Sequence, residues 1–180
     1  MKTLTLLRHA KSSWDDPVAR DFDRPLNKKG ERAARVMGQY MRSEKLVFDH
    51  VVASPAIRVI ETIDHVGSGY GKRIEPKWER RIYLASSATL MDVLREMDDG
   101  LDHILMLGHN PGMEDLILDL VPEQDGDLRA SVYAKYPTAA LAQIAIDIDH
   151  WAEIDRGTGS LKRFIRPRDL DPELGPDDEY

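Results

Sequence analysis

Short blocks of apolar, β-favouring residues recur along this chain, and the stretches between them place their apolar residues three and four positions apart. The first pattern is that of buried strands and the second that of amphipathic helices. LTLL at residues 4–7, HVVAS at 50–54 and HILMLGH at 103–109 read as strands, and RIEPKW at 73–78 can hold a short one. Near the C-terminus, AALAQIAI and SLKRFI read as two strands around a turn containing Asp155 to Gly159. Between the early strands, residues 28–44 set Ala33, Met37, Tyr40 and Met41 on one helical face, with Asn27 as the capping residue. Ser54 followed by Pro55 has the form of an N-cap and a first helical position, predicting a helix to about residue 66. Serines 86 and 87 precede a third helix carrying Leu90, Val93, Leu94 and Met97, and Asn110-Pro111 repeats the cap-then-proline device before a helix over 113–120.

This alternation predicts an α/β fold, a three-layer αβα sandwich around a mostly parallel sheet. A single domain is expected over 1–166. The remainder, 167–180, is rich in proline and acid and is expected to be a poorly ordered or loosely draped tail.

Composition narrows the function classes. With 180 residues, 42% of them hydrophobic, the chain can bury one substantial core. No apolar run approaches the roughly 20 residues of a membrane span, and the N-terminus turns polar too early for a signal peptide, so a soluble, cytoplasmic protein is expected. Cysteine is absent, which excludes disulfides, thiolate metal sites and a cysteine nucleophile. His50, His65, His103 and His150 lack ligand spacing, and no metal or other cofactor is expected. A net charge of −7 argues against nucleic acid or anionic membrane as partner, so any anion site must be local.

Three of the expected strands end in unusual polar groups: Arg8 and His9, then Ser54 with Arg58 four residues on, then Gly108 and His109. The carboxyl ends of parallel strands line one rim of an open α/β sheet, so the three can meet there. Arg58 would lie in the first turn of its helix and can lean back over the strand end. Paired arginines suit a phosphoryl group, because each planar fork donates two hydrogen bonds to its oxygens. A histidine beside two fixed cations has its protonated form disfavoured, which leaves a neutral imidazole able to attack phosphorus. In this reading His9 is the nucleophile, while Arg8, Arg58 and His109 hold the transferred phosphoryl oxygens. Lys11, Ser12 and Ser13 either donate to the phosphate from the following loop or simply solvate it. Trp14 is expected to pack, and Asp21, Asp23 and Arg24 to form an ion pair holding the loop.

RHAKSSW, SPAIRVIET and GHNPG, in this order over residues 1–121, resemble the histidine phosphatase superfamily, and their forms look most like its SixA-type phosphohistidine phosphatase branch. The resemblance implies a phosphoglycerate mutase-like fold, His9 as the phosphorylated residue, Arg8 and Arg58 as phosphate clamps, and His109 as the second pocket histidine. It also implies a phosphorylated substrate, such as a phosphohistidine-bearing signalling protein. The chain departs from many relatives in carrying Ala10 where they have glycine, and in placing Asp15 where mutases offer an asparagine. The mutase lid segment also has no counterpart. Glu79, in WERRIY, is the one candidate for a general acid, although its neighbours Arg80 and Arg81 equally suit a surface ion-pair cluster. A site without a strong acid should favour a phosphoramidate, whose nitrogen leaves once protonated, over an alkyl ester. A small-molecule phosphomonoesterase and a noncatalytic phosphate-binding module are the alternatives.

Overall fold

The computed structural model describes residues 1–17 and 20–175. Its centre is a six-stranded sheet of β1 (Lys2–Arg8), β2 (His50–Ala53), β3 (Lys77–Trp78), β4 (His103–Gly108), β5 (Leu141–Ile146) and β6 (Gly159–Ile165), in the order β3-β2-β4-β1-β5-β6. The four strands from β3 to β1 run parallel, and β5 and β6 continue the sheet antiparallel. Arg8 pairs with Gly108, and Ala53 with Leu107, so the three motif-bearing strands finish level at one rim. That register is what brings residues a hundred positions apart into one site.

Alternation along β1 sorts the core. Leu4 and Leu6 face one layer, made by α3 (Ser87–Arg95), α4 (Gly112–Leu120) and α5 (Asp127–Ala134), where they meet Leu90, Met113 and Leu116. Leu7 faces the other, made by α1 (Lys28–Ser43) and α2 (Ile57–Tyr70), with Met37, Met41 and Val59. All of these side chains are inaccessible to solvent or nearly so, and each contributes about 1.5–3 kcal/mol by leaving water. The αβα sandwich expected from the sequence is therefore the observed architecture.

Two glycines seat elements against the rim. A Cβ on Gly30, in the first turn of α1, would lie 2.1 Å from the Lys11 carbonyl oxygen, and one on Gly112 would lie 2.0 Å from that of Ala85. Only glycine permits these approaches, which fix the loop after β1 and the start of α4.

Several elements differ from the sequence reading. Asn27 caps α1 by accepting from the Gly30 amide at 2.8 Å, as expected. Ser54, however, does not cap α2: the helix begins at Ile57 after Ala56, and the Ser54 hydroxyl is engaged by His109. At α4 the N-cap is Pro111, after a cis Asn110-Pro111 bond, and the Asn110 side chain accepts from the Glu114 amide. The helix α5 is absent from the sequence reading because its periodic signal is weak, with Val132 its one buried residue.

The expected loose tail is corrected in its first part. Pro167–Leu170 forms a helical turn, α6, and Pro172–Leu174 a 3-10 turn. Pro167 and Leu174 are buried, Leu170 packs on the α1/α2 layer, and Arg32 of α1 pairs with Asp171 and Glu173. Two apolar anchors and an ion pair outweigh the composition. The acidic end of the tail, 176–180, lies outside the described residues. Among the described residues, no helix is long and apolar enough to cross a membrane.

Candidate active site

At the rim where β1, β2 and β4 end lies a solvent-open cavity of about 200 Å³. Its lining includes Arg8, His9, Arg58 and His109, together with Ser12. Four elements supply them: β1 and its exit loop, the first turn of α2, and the end of β4.

His9 is buried, and its Nδ1 lies 2.7 Å from the Ala10 carbonyl oxygen. A carbonyl can only accept, so Nδ1 carries the proton and Nε2 keeps its lone pair. Ala10 is itself fixed, since its amide donates to Thr62 Oγ1 at 2.9 Å and that hydroxyl donates to the Arg58 carbonyl at 2.6 Å. The loop bearing His9 is thus tied to the helix bearing Arg58. Burial, followed by the Arg8 charge, pushes the His9 ring well below its ordinary pKa, and His109 and Arg58 add to this; the Ala10 hydrogen bond opposes it. The imidazole is neutral at pH 7.

Arg8 is anchored by donating from Nη1 to the Tyr136 carbonyl at 3.0 Å, which also accepts from Asn110 Nδ2 at 2.9 Å. Arg58 is buried and donates to the Asp21 carbonyl at 2.7 Å and to its Oδ2 at 3.0 Å. Among the described residues, the Nε of each arginine is buried without a hydrogen-bond partner.

His109 adopts the opposite tautomer. Arg58 Nη2 can only donate, and it lies 3.3 Å from His109 Nδ1; Nε2–H therefore donates to Ser54 Oγ at 2.8 Å. Both ring nitrogens are engaged, where the sequence reading has this residue gripping phosphate directly. Burial and then the Arg58 charge lower its pKa to about 3. The His9 and His109 rings lie 5.3 Å apart, and Tyr83 meets His109 edge-on at 5.4 Å.

The remaining sequence candidates separate. Ser12 lines the cavity and accepts from Arg24 Nη1. Ser13 and Asp15 do not line it; the Ser13 hydroxyl instead accepts from the Asp15 amide. Trp14 is two-thirds exposed rather than packed, with the Arg24 guanidinium 3.5 Å from its ring centre. Glu79 is also outside the cavity lining. It caps a 3-10 turn and pairs with Arg81 at 3.1 Å, and that hydrogen bonding holds its carboxyl below the usual range, the reverse of what a proton donor needs. The surface ion-pair alternative describes its surroundings.

Asp21 is more central than a loop ion pair. It accepts from Arg58, Arg24 and the Tyr83 hydroxyl and lines the cavity. Burial pushes its carboxyl up, but the bonds from Tyr83 and Arg24 and the Arg58 charge outweigh this and bring it to about 2. It is therefore a carboxylate that orients Arg58, and no source of protons at neutral pH. The DFDR spacing exposed the Asp21–Arg24 pair; nothing in the sequence linked it to Tyr83, or Thr62 to Ala10 and Arg58, or Ser54 to His109.

The arrangement is a neutral imidazole lone pair beside two fixed guanidinium groups, with no protonated carboxyl lining the cavity among the described residues. Comparison with known proteins agrees with this chemistry. The sequence model of the histidine phosphatase superfamily (branch 1) matches residues 4–81, a span that contains Arg8, His9 and Arg58. An uncharacterized protein of Mycobacterium tuberculosis is 30% identical over 164 residues, covering 90% of this chain and all of the relative. The phosphohistidine phosphatase SixA of Escherichia coli is 22% identical over 92% of this chain and 94% of its own. Among solved structures, a candidate phosphohistidine phosphatase SixA from Agrobacterium tumefaciens superposes with a TM-score of 0.77 at 26% identity, covering 92% of this chain and 98% of that one. Motif order, strand register and whole-length similarity converge, and the chain belongs to the histidine phosphatase superfamily, in its SixA-type branch.

Proposed function

We propose that the protein is a phosphatase acting through a phosphohistidine formed on His9 Nε2, with phosphohistidine on a protein as its substrate. The observation that carries this reading is the Nδ1–H bond from His9 to the Ala10 carbonyl, which leaves Nε2 as the attacking lone pair. Nε2 forms a bond to phosphorus as the phosphorus–nitrogen bond of the substrate breaks. The departing imidazole, protonated by solvent at its other ring nitrogen, takes the electron pair of the broken bond and leaves neutral. Water then attacks the phosphorus on His9, its proton passes to the released phosphate, and neutral His9 returns.

Arg8 and Arg58 stabilise the equatorial oxygens. His109 keeps Arg58 in place through its Nδ1, and Asp21 holds the same guanidinium from the other side. The domain over 1–166 supplies all of these groups. The lack of a protonated carboxyl in the cavity favours a phosphoramidate over an alkyl phosphomonoester, whose alkoxide would leave unassisted. The name of the Escherichia coli relative points the same way.

The test is phosphate release from a phosphohistidine protein and from a simple phosphomonoester by wild type and His9→Ala. The expected result is release from the phosphohistidine protein by wild type alone. Faster turnover of the ester would move the assignment to a small-molecule phosphomonoesterase, and binding without release would make the protein a noncatalytic phosphate reader.

A further inference from the structure

Trp14 is an exposed tryptophan with a fixed seat. The Arg24 guanidinium carbon lies over its ring, 3.5 Å from the centre, and yet 66% of the residue meets solvent. With Arg24 against one face, that exposed area is the opposite face and the ring edge. Arg24 is itself buried, and it donates to Asp21 Oδ1 from Nε at 3.2 Å and from Nη2 at 3.0 Å, and to the Ser12 hydroxyl. Asp21 also accepts from Arg58, so the position of the indole is tied to one of the two phosphate clamps. A ring held in this way has little freedom to lose when a ligand settles on its open face.

Trp14 lines the phosphate cavity, as does Leu84, which is 57% exposed. Leu84 has a φ of 50°, in the left-handed region that a leucine rarely adopts. That backbone sets a second large apolar side chain at the cavity mouth.

In-line attack decides which part of a substrate meets this apolar mouth. His9 is buried, so the leaving nitrogen, on the far side of phosphorus from His9 Nε2, lies toward solvent. In phosphohistidine that nitrogen belongs to the ring, and a phosphoryl group held by Arg8 and Arg58 therefore sets the imidazole at the mouth with no intervening stem. In phospholysine an amine on a flexible methylene chain takes the same place. A flat ring can stack on an indole face over its whole area, whereas a chain touches that face along a line.

We propose that Trp14 is a specificity-determining residue whose open face stacks on the imidazole of the substrate, selecting a phosphoryl group borne by a ring over one borne by an aliphatic amine. This rests on the phosphatase reading and adds to it how the leaving group is recognised.

The experiment measures kcat/KM for a phosphohistidine peptide, a phospholysine peptide of otherwise identical sequence and phosphoramidate, using wild type, Trp14→Ala, Trp14→Leu and Trp14→Phe. In Trp14→Ala the ratio of the phosphohistidine peptide to phosphoramidate should fall about tenfold, through KM, and its ratio to the phospholysine peptide should fall by about as much. Trp14→Phe should restore most of both ratios, and Trp14→Leu, apolar but without a ring, should not. Ratios in Trp14→Ala within twofold of wild type, or restored by leucine as well as by phenylalanine, overturn the proposal. An equal loss on all three substrates overturns it in favour of a Trp14 that only packs on Arg24. If Trp14→Ala does not fold, the contrast between phenylalanine and leucine carries the test.

Failure of the catalytic reading is separable. Wild type that releases phosphate from none of the three substrates refutes the phosphatase, while stacking is still read by fluorescence anisotropy of the phosphohistidine peptide bound to His9→Ala and to His9→Ala/Trp14→Ala. About tenfold weaker binding by the double variant is expected, and equal affinities overturn the role of Trp14.

Discussion

Replacing Thr62 with valine tests whether the loop carrying His9 is held by the helix carrying Arg58. Thr62 is fully buried, and its hydroxyl both accepts from the Ala10 amide at 2.9 Å and donates to the Arg58 carbonyl at 2.6 Å. Valine keeps the shape and removes both bonds. The Arg58 carbonyl retains its helical partner, so the loss falls mainly on the Ala10 amide, which becomes a buried donor without an acceptor at about 1–3 kcal/mol. For a domain of this size that corresponds to a fall in Tm of roughly 2–12 °C.

A second effect follows at the ring. The Ala10 carbonyl fixes the His9 tautomer, and loss of the Thr62 bond lets that backbone turn, lowering the fraction of rings with Nε2 free. The expected fall in the rate of phosphoenzyme formation is about tenfold, since small misplacements of a reacting atom are costly. Urea unfolding and a rapid-quench measurement of labelled phosphoenzyme read the two effects separately, and Thr62→Ser should restore most of both. A valine variant as stable as wild type and within twofold of its rate would refute the reasoning.

Further outcomes can be checked directly. His109 should be neutral at pH 5 and titrate near 3, and neither pocket histidine should show a transition at the ordinary 6.5, as followed by imidazole ¹⁵N shifts. Because their folded pKa values lie below the unfolded value, their contribution to stability is complete above pH 6.5 and is lost as the pH falls through their lowered folded values, near 3 for His109; denaturant unfolding at decreasing pH should show the decline. Ser54→Ala leaves His109 Nε2–H without its acceptor and should cost about 1–3 kcal/mol, with a loss of rate that a folded protein by circular dichroism would separate from unfolding. Glu79→Gln should leave phosphate release unchanged and alter stability by at most about 1 kcal/mol, while a tenfold loss of rate would return Glu79 to the role of acid.

What the chain announces and what it conceals divide along physical lines. Strands β1 and β4 and helices α1 and α3 are legible because their apolar periodicity, or a capping side chain such as Asn27 or Ser86, is local. Arg8, His9, Arg58 and His109 stand out because each lies at or shortly after the end of a strand, and parallel register converts that position into proximity. The bonds among them are another matter. Ser54 has the sequence of a helix cap and serves His109 instead, 55 residues away, a choice made by packing that no local pattern records. Asp21 and Tyr83 meet across 62 residues for the same reason. The first part of the tail is misjudged because two buried apolar residues suffice to seat a segment whose average composition is acidic.

Strand β1 is made before both of the strands it lies between. Leu4 pairs with Ile104 on one side and Ile144 on the other. During synthesis the motif bearing Arg8 and His9 therefore emerges long before either flank of its strand exists, and both pairings close loops of a hundred residues or more. A chain interrupted after β4 would possess Arg8, His9, Arg58 and His109, yet would leave one edge of β1 open where β5 belongs. Competence for chemistry thus arrives with the antiparallel end of the sheet, which contributes no strand residue to the lining of the phosphate cavity. The part of the molecule least marked by its family motifs decides when the marked part can begin to work.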